Sequence, residues 1–326
     1  MKMGKHHAVV IGKLQDSLIE RLQEQCEIKI WDKSSKIPQS LLIDWLQDAE
    51  GLISRGDIAV NESLLSQAPN LRVVAQSSVG YDNIDIDACT NHSIPVGNTP
   101  GVLVEATADI AFGLLLNSAR GIHEGWEYVK TGKWGSSSQF PLKVDLYGKH
   151  LGIVGMGNIG KAVAKRAQAS GMNILYHNRA PREENDKLGA TYVSFHTLLE
   201  KSDFILVLVP LTEQSRGLFG KEQFAKMKST CHFINTSRGA VVNMDALCEA
   251  LVNKKIAYAA LDVTDPEPIN MEHPIMSLEN VLITPHIGSA THETRLRMAT
   301  LTVDNLLSGL NREKLLTCVN EAVNNN

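Results

Sequence analysis

Three loops of this chain carry polar residues of the kinds that move protons and hold carboxylates. The first, Asn235-Thr-Ser-Arg238-Gly239, lies between two apolar runs and offers a guanidinium. Such a group clamps a carboxylate bidentately and stabilises charge developing on a neighbouring carbonyl. In the second, Asp262-Val-Thr-Asp265-Pro-Glu267-Pro268, prolines on both sides of Glu267 hold its carboxylate in one orientation. Asp265 is close enough in sequence to disfavour full ionisation of the group. The third, Pro285-His286-Ile-Gly-Ser289, sets a histidine, the natural acid and base near neutral pH, between a proline and an apolar residue. Singly, each has a plainer reading: a structural arginine at a helix end, a solvated acidic turn, a satisfied structural histidine. Jointly they follow strand-like runs, and ligands of open parallel sheets bind at the C-terminal ends of strands.

A fourth stretch supplies a nucleotide. Leu151-Gly-Ile-Val-Gly-Met-Gly-Asn-Ile-Gly160 reads as a short apolar strand that breaks into Gly155-x-Gly157-x-x-Gly160 and then becomes a helix through Ala162, Val163 and Ala167. Gly155 permits the tight turn, Gly157 lets a pyrophosphate approach the backbone, and Gly160 lets the helix pack on the strand. The helix start presents free N–H groups to the phosphates. The next strand, Asn173–His177, ends in Asn178-Arg179 with Arg182 close behind. A carboxylate at such a tip would bind the ribose 2′-hydroxyl of NAD; here an amide and guanidinia replace it, which favours NADP(H), with NAD(H) still usable.

Together these are the parts of reversible hydride transfer. The nicotinamide exchanges hydride with a carbonyl carbon, an imidazolium gives the oxygen a proton, and an arginine holds the adjacent carboxylate. A histidine facing a carboxylate keeps its proton to higher pH, so it can donate it. The turn Ser77-Ser-Val79-Gly80-Tyr-Asp is a candidate nest for the substrate carboxylate, Gly80 letting successive N–H groups point at an anion.

Stepping outward, 326 residues with 43% hydrophobic content suffice for two cores. A net charge of −4 leaves no footprint for nucleic acid or membrane, and no run approaches the roughly 20 apolar residues of a membrane helix. The five cysteines are scattered, with no metal-like spacing, as expected of reduced thiols in the cytoplasm. No leader is recognised at the N-terminus.

The expected fold is α/β: two doubly wound, parallel-sheet, Rossmann-like domains with a cleft between them. Strands are expected at Ala8–Ile11, Glu27–Trp31, Gly51–Ser54, Leu71–Ala75 and Ile94–Val96, and a helix at Ser17–Gln25. A second set follows at Leu151–Val154, Ile174–His177, Phe204–Val209, His232–Asn235, Ala257–Leu261 and Val281–Thr284. The apolar Val102–Arg120 reads as a helix buried between domains or in a subunit interface, and Ala290–Leu310 as one that returns to the first domain. Residues 1–99 and 289–326 then form a flavodoxin-like substrate-binding domain, and 100–288 a dinucleotide-binding Rossmann domain.

Over nearly its whole length the chain resembles the D-isomer-specific 2-hydroxyacid dehydrogenases. The matching elements are Ser78-Val-Gly-Tyr-Asp-Asn83, Thr99-Pro-Gly-Val-Leu103, Gly155-Met-Gly-Asn-Ile-Gly160, Asn235-Thr-Ser-Arg-Gly239, Leu261-Asp-Val263 with Glu267-Pro268, and Pro285-His-Ile-Gly-Ser-Ala-Thr291. Its glyoxylate/hydroxypyruvate reductase branch is most alike, through Asp262–Pro268 and Pro285–His292. The resemblance implies that Arg238, Glu267 and His286 are catalytic and that Val79 and Gly80, with Arg238 and His286, meet the substrate. It implies a cofactor site built from Gly155, Met156, Gly157, Asn158, Ile159 and Gly160. Asn178, Arg179 and Arg182 extend that site, and Thr107, Pro210, Thr236, Asp262, Gly288 and Ser289 complete it, with Asp262 at the nicotinamide end. It also implies a homodimer built on the nucleotide-binding domains.

The implied reaction is NADPH-dependent reduction of glyoxylate or hydroxypyruvate to glycolate or D-glycerate. The hydroxypyruvate reductases place a partner-subunit tryptophan near the substrate; the corresponding loop here is Trp134–Pro141, where no tryptophan aligns securely. A bulkier sugar acid such as 2-ketogluconate is therefore an alternative substrate. Phosphoglycerate dehydrogenase is a neighbouring reading, whose longer members carry a regulatory domain. A non-catalytic, dinucleotide-sensing corepressor of the C-terminal-binding-protein type is a reading of another class, set against by Asn178-Arg179 and by the absence of a long tail before Asn326.

Overall fold

A computed structural model describes residues 4–135 and 139–324. The chain divides into two compact units, Met1–Leu103 with Thr291–Asn326, and Val104–Ala290. In the first unit β1 (His6–Ile11), α1 (Asp16–Gln25), β2 (Cys26–Trp31), α2 (Gln39–Leu46), β3 (Gly51–Ser54), α3 (Glu62–Leu65), β4 (Val73–Gln76), α4 (Ile86–Asn91) and β5 (Val96–Gly97) alternate. Their strands form a parallel sheet in the order β2-β1-β3-β4-β5. The central strands β1, β3 and β4 are mostly apolar and buried because helices cover both faces, whereas the edge strand β2 alternates, with Glu27 and Lys29 exposed. One cover is the last helix, His292–Leu310, packed on β3 and β4. Its approach is close: a Cβ added at Gly309 would lie 2.5 Å from the Val73 side chain, and one at Gly51 2.7 Å from Leu306.

The second unit opens with α5 (Val104–Arg120) and α6 (Ile122–Lys130). It continues through β6 (His150–Val154), α7 (Asn158–Ala169), β7 (Asn173–His177), α8 (Glu183–Asp186), β8 (Ala190–Tyr192), α9 (Phe195–Lys201) and β9 (Phe204–Val207). The rest is α10 (Lys221–Lys226), β10 (His232–Asn235), α11 (Met244–Val252), β11 (Tyr258–Leu261) and β12 (Val281–Ile283). All seven strands run parallel in the order β12-β11-β10-β9-β6-β7-β8. Chain order reverses between β6 and β9. That switch point opens a crevice at the C-terminal ends of the strands, beside the glycine-rich turn.

Both doubly wound sheets match the expected class. Two elements differ from expectation. Strand β8 is an edge strand of three residues, too short to show a period. Helix α5 buries Ala108, Ala111, Leu114 and Leu115 against α7, β10 and β11, so its apolar character is used on its own domain's sheet. Among the described residues, no helix is long and apolar enough to cross a membrane.

Candidate active site

The glycine-rich turn is built as its residues dictate. Gly155 has φ +100°, and a Cβ there would lie 2.8 Å from the Leu208 carbonyl carbon. A Cβ on Gly160 would meet the Gly155 carbonyl oxygen at 2.9 Å, whereas one on Gly157 would meet nothing within 4 Å. The turn is thus closed where helix meets strand and open where a ligand would approach. Helix α7 starts at N-cap Gly157 with no side-chain cap and no acidic residue in its first turn. The N–H groups of Asn158, Ile159 and Gly160 have no acceptor among the described residues, the arrangement an anion completes. Met156, fully buried, anchors the turn in the core.

The tip of β7 is fastened to this turn. The Asn178 amide accepts from the Met156 N–H (2.7 Å) and donates to the Met156 carbonyl (3.3 Å). Tyr192 donates its hydroxyl to the Asn178 carbonyl (3.3 Å), and the Tyr176 hydroxyl bonds both the N–H and the carbonyl of Arg182. Asn178 is thus largely spent on holding the backbone, while Arg179 and Arg182 stand exposed beside it. Pro210 follows β9, its carbonyl held by Ser215 Oγ (2.7 Å). Thr236 follows β10, and its buried hydroxyl finds no partner among the described residues. The free helix N-terminus, the open Gly157 and the orphaned Thr236 hydroxyl fit a dinucleotide: pyrophosphate at the turn, nicotinamide toward β10 and β11.

Beyond the ends of β11 and β12 lie the candidate acid–base groups. Asp262 is 2% exposed. Its carboxylate accepts from Thr284 Oγ1 (2.6 Å), the Ile287 N–H (2.8 Å) and the Gly288 N–H (2.8 Å). Three of its acceptor directions are therefore used on the loop that carries His286; a nicotinamide would take the fourth. Gly288 lets that loop close on Asp262 and on Thr107 of α5, since a Cβ there would already lie 3.2 Å from the carboxylate and 3.4 Å from the Thr107 methyl. Ser289 continues the same loop, half-buried. Within it His286 has φ +53°, left-handed for a residue with a Cβ. Such strain persists only where the surroundings impose it.

His286 Nδ1 lies 2.7 Å from Glu267 Oε1. An ionised carboxylate only accepts, so it is Nδ1 that carries the hydrogen of this bond. Burial opposes ionisation of Glu267. The His286 hydrogen bond and charge, a backbone N–H and the Arg238 guanidinium outweigh it, and hold its carboxyl below the usual range. This corrects the expectation that Asp265 disfavours ionisation: the cations govern. Arg238 is half-buried in a turn organised by Asn235, whose amide donates to the Arg238 carbonyl (3.0 Å) and accepts from Ser237. Arg238 Nη1 donates to the Ser237 carbonyl (2.9 Å). Gly239 allows this turn to back onto the next loop, since a Cβ there would overlap the Thr264 carbonyl.

In the other unit, Val79 and Gly80 follow β4. Asn98 Nδ2 donates to the Val79 carbonyl (2.9 Å), and Ser78 Oγ and Gln76 Nε2 to that of Gly80 (2.6 and 3.3 Å). With the carbonyls tied back, the N–H groups of Val79 and Gly80 have no acceptor among the described residues. Gly80 is not among the residues of positive φ, so its N–H is presented by this tethering of the carbonyls and not by a left-handed backbone. Among the described residues no three His, Cys, Asp or Glu side chains cluster as metal ligands. In the loop 134–141, residues 136–138 lie outside the described residues.

A doubly wound sheet with a phosphate-binding turn and a carboxylate-paired histidine defines a nicotinamide-dependent oxidoreductase. Comparison agrees. Residues 112–288 match the family model of the D-isomer specific 2-hydroxyacid dehydrogenase NAD binding domain. The chain is 42% identical to a glyoxylate reductase of Korarchaeum cryptofilum over 322 residues, 98% of this chain and 97% of that protein. It is 43% identical to glyoxylate/hydroxypyruvate reductase B of Escherichia coli, covering 98% and 99%. The crystal structure of an NADPH-dependent glyoxylate/hydroxypyruvate reductase of Sinorhizobium meliloti, with NADP and malonate, superimposes with a TM-score of 0.87 at 34% identity, covering 98% of each chain. The chain belongs to the D-isomer-specific 2-hydroxyacid dehydrogenase family and is an NAD(P)-dependent reductase of small 2-oxo acids.

Proposed function

We propose that this enzyme reduces glyoxylate and hydroxypyruvate to glycolate and D-glycerate with a preference for NADPH, acting through Arg238, Glu267 and His286. The observation that carries the reading is the 2.7 Å contact of His286 Nδ1 with Glu267, on a loop fixed from behind by Asp262. A bound nicotinamide supplies the hydride. Arg238 binds the substrate carboxylate and stabilises charge gathering on the carbonyl oxygen. Val79 and Gly80, in their own unit, are proposed as substrate contacts through N–H groups of the kind a carboxylate accepts. The His286 imidazolium, its Nδ1 hydrogen held by Glu267, delivers the Nε2 proton to that oxygen. Oxidation runs the same path backward, from neutral His286. Residues 1–99 and 289–326 serve as the substrate-binding domain and 100–288 as the dinucleotide-binding domain.

The NADPH preference rests on Arg179 and Arg182, where a carboxylate would select NAD. The homodimer is supported by exposed apolar side chains concentrated in residues 122–147: Ile122, Trp126, Val129, Trp134, Leu142 and Tyr147. The five cysteines are all free, as suits a cytoplasmic protein. One experiment tests the core of the reading. Glyoxylate, hydroxypyruvate, pyruvate and 2-ketogluconate are assayed with NADPH and with NADH, for the native enzyme and His286→Ala. Native turnover of glyoxylate and hydroxypyruvate, with kcat reduced about 10²–10⁴-fold in the variant at unchanged cofactor affinity, is expected. Near-normal turnover by His286→Ala would remove the histidine from the mechanism.

A further inference from the structure

The β7 tip holds an anion of its own. Glu184, on the short helix α8, places its carboxylate 2.5 Å from Lys161 Nζ, on the first turn of α7, and 3.8 Å from Arg182 Nη1. Two cations from different elements thus converge on one carboxylate, next to the strand tip where the ribose 2′ substituent of a dinucleotide lies. Their backbones are fixed independently of this contact: Arg182 by the Tyr176 hydroxyl, the strand tip by Tyr192 and Met156. Lys161 follows the three free N–H groups of the helix and is the first residue of α7 whose own N–H is satisfied, by the Gly157 carbonyl. It is the more covered partner, 24% exposed against 56% for Glu184 and 60% for Arg182.

We propose that Glu184 is an internal stand-in for the 2′-phosphate of NADPH, and that Lys161 is a specificity-determining cation which the phosphate takes over from it. The proposal rests on the NADPH reading above. A surface ion pair of this kind contributes little, because water screens it and two long side chains must be held. A phosphate monoester, with a charge of about −1.5 to −2 and three acceptor oxygens, competes well for the same cations. The carboxylate has two effects. It keeps Lys161 and Arg182 directed at one point before the cofactor arrives, and it must yield when the phosphate lands. Exposure of Glu184 and its position on a single-turn helix let it swing away. NADH brings only a hydroxyl, which is too weak an acceptor to displace it. Glu184 therefore sets the margin between the two cofactors without touching the nicotinamide end, and neighbouring Glu183, exposed on the same turn, adds only diffuse repulsion.

The test measures KM for NADPH and NADH, and binding of 2′,5′-ADP and 5′-AMP, in the native enzyme, Glu184→Gln, Lys161→Met and the double variant. Glu184→Gln should lower KM for NADPH and Kd for 2′,5′-ADP roughly two- to fivefold, the equivalent of a released surface pair, and leave NADH and 5′-AMP within about twofold. Lys161→Met should raise the NADPH values about tenfold or more, again sparing NADH. In the double variant the gain from Glu184→Gln should shrink, since the cation it frees is gone. If Glu184→Gln leaves NADPH unchanged or weakens it, the carboxylate is a buttress and the proposal fails. If Lys161→Met weakens both cofactors alike, Lys161 supports the helix and the proposal fails. Should the native enzyme show no preference for NADPH, the NADPH reading itself falls, and that result is in hand before any variant is compared.

Discussion

Replacing Asp262 by asparagine exchanges one carboxylate oxygen for an NH₂ group at an acceptor that takes three hydrogen bonds. Oδ1 accepts from Thr284 Oγ1 and the Ile287 N–H, Oδ2 from the Gly288 N–H. An amide has one oxygen. With that oxygen toward Thr284 and Ile287, its NH₂ confronts the Gly288 N–H. With the amide flipped, Thr284 can turn its hydroxyl and accept, but the Ile287 N–H confronts the NH₂. Either orientation leaves one buried backbone donor unpaired, at a cost of about 1–3 kcal/mol. The remaining bonds lose their charge assistance, which adds about 1 kcal/mol. The variant should be about 2–4 kcal/mol less stable than the native protein, if the loop stays in place. The loop can also relieve the conflict by moving, and His286 sits in its middle at φ +53°. A displacement of about 1 Å at the proposed acid–base group should lower kcat roughly tenfold to a hundredfold. The assay pairs urea unfolding with kcat for glyoxylate reduction at saturating cofactor. A stability within about 0.5 kcal/mol of native and an unchanged kcat would refute the role given to Asp262. Lost stability with native kcat would mean that the carboxylate braces the domain but not the histidine.

Two further predictions concern pH. Glu267 is held below the usual carboxylate range, so its contribution is present above about pH 4.5 and is lost only as pH falls through its lower folded value. In Glu267→Gln the ionised partner of His286 is gone, so this acid-side loss of stability should be reduced and kcat for glyoxylate reduction should fall; an acid-side stability profile that superimposes on the native one, with native kcat, would uncouple the pair. His232, at the start of β10, is pushed down from 6.5 to about 4 by burial, with the Lys143 charge adding to the effect. Neutral in both states above pH 6.5, it costs stability as pH falls, because the unfolded chain takes the proton first. The slope is about 1.4 kcal/mol per pH unit, and the loss sums to about 3 kcal/mol by pH 4. Urea titrations at stepped pH should show this slope flattened in His232→Phe, and an equal slope in both proteins would contradict it.

How much of this was legible beforehand varied with the kind of interaction. Strands such as Gly51–Ser54 and His232–Asn235 are visible because both faces are covered and adjacent apolar residues, Leu52-Ile53 and Phe233-Ile234, occupy their centres. The glycine-rich turn and the residues Arg238, Glu267 and His286 are visible because each departs from what solubility or packing would select at a strand end. The three-residue β8 is not, since an edge strand of that length has no period to read. The bracing interactions are hidden for a different reason. Nothing in the sequence says that Asn178 is spent on Met156, that Tyr176 and Tyr192 hold the β7 tip, or that Lys161 meets Glu184 across 23 positions. A polar side chain near a site reads as a ligand contact until its partners are known, and these partners come from neighbouring strands and helices.

Strand register explains how residues 24 positions apart come to act together. β11 and β12 pair in parallel, with Leu261 opposite Ile283. The next residue along β11 is Asp262, and the next along β12 is Thr284, so the carboxylate meets the hydroxyl directly across the sheet. Both chains leave the sheet at that level. The one after β11 passes through the prolines to Glu267; the one after β12 turns at once, with the His286 N–H closing on the Thr284 carbonyl at 2.9 Å. A slip of one residue would turn Asp262 to the opposite face and leave the Ile287 and Gly288 N–H groups without an acceptor. The apolar runs on both strands forbid that slip. The core of the domain therefore fixes the proposed acid–base pair: the same registration that buries Leu261 sets Asp262 behind the loop that carries His286, and His286 and Glu267 are each a little under half exposed.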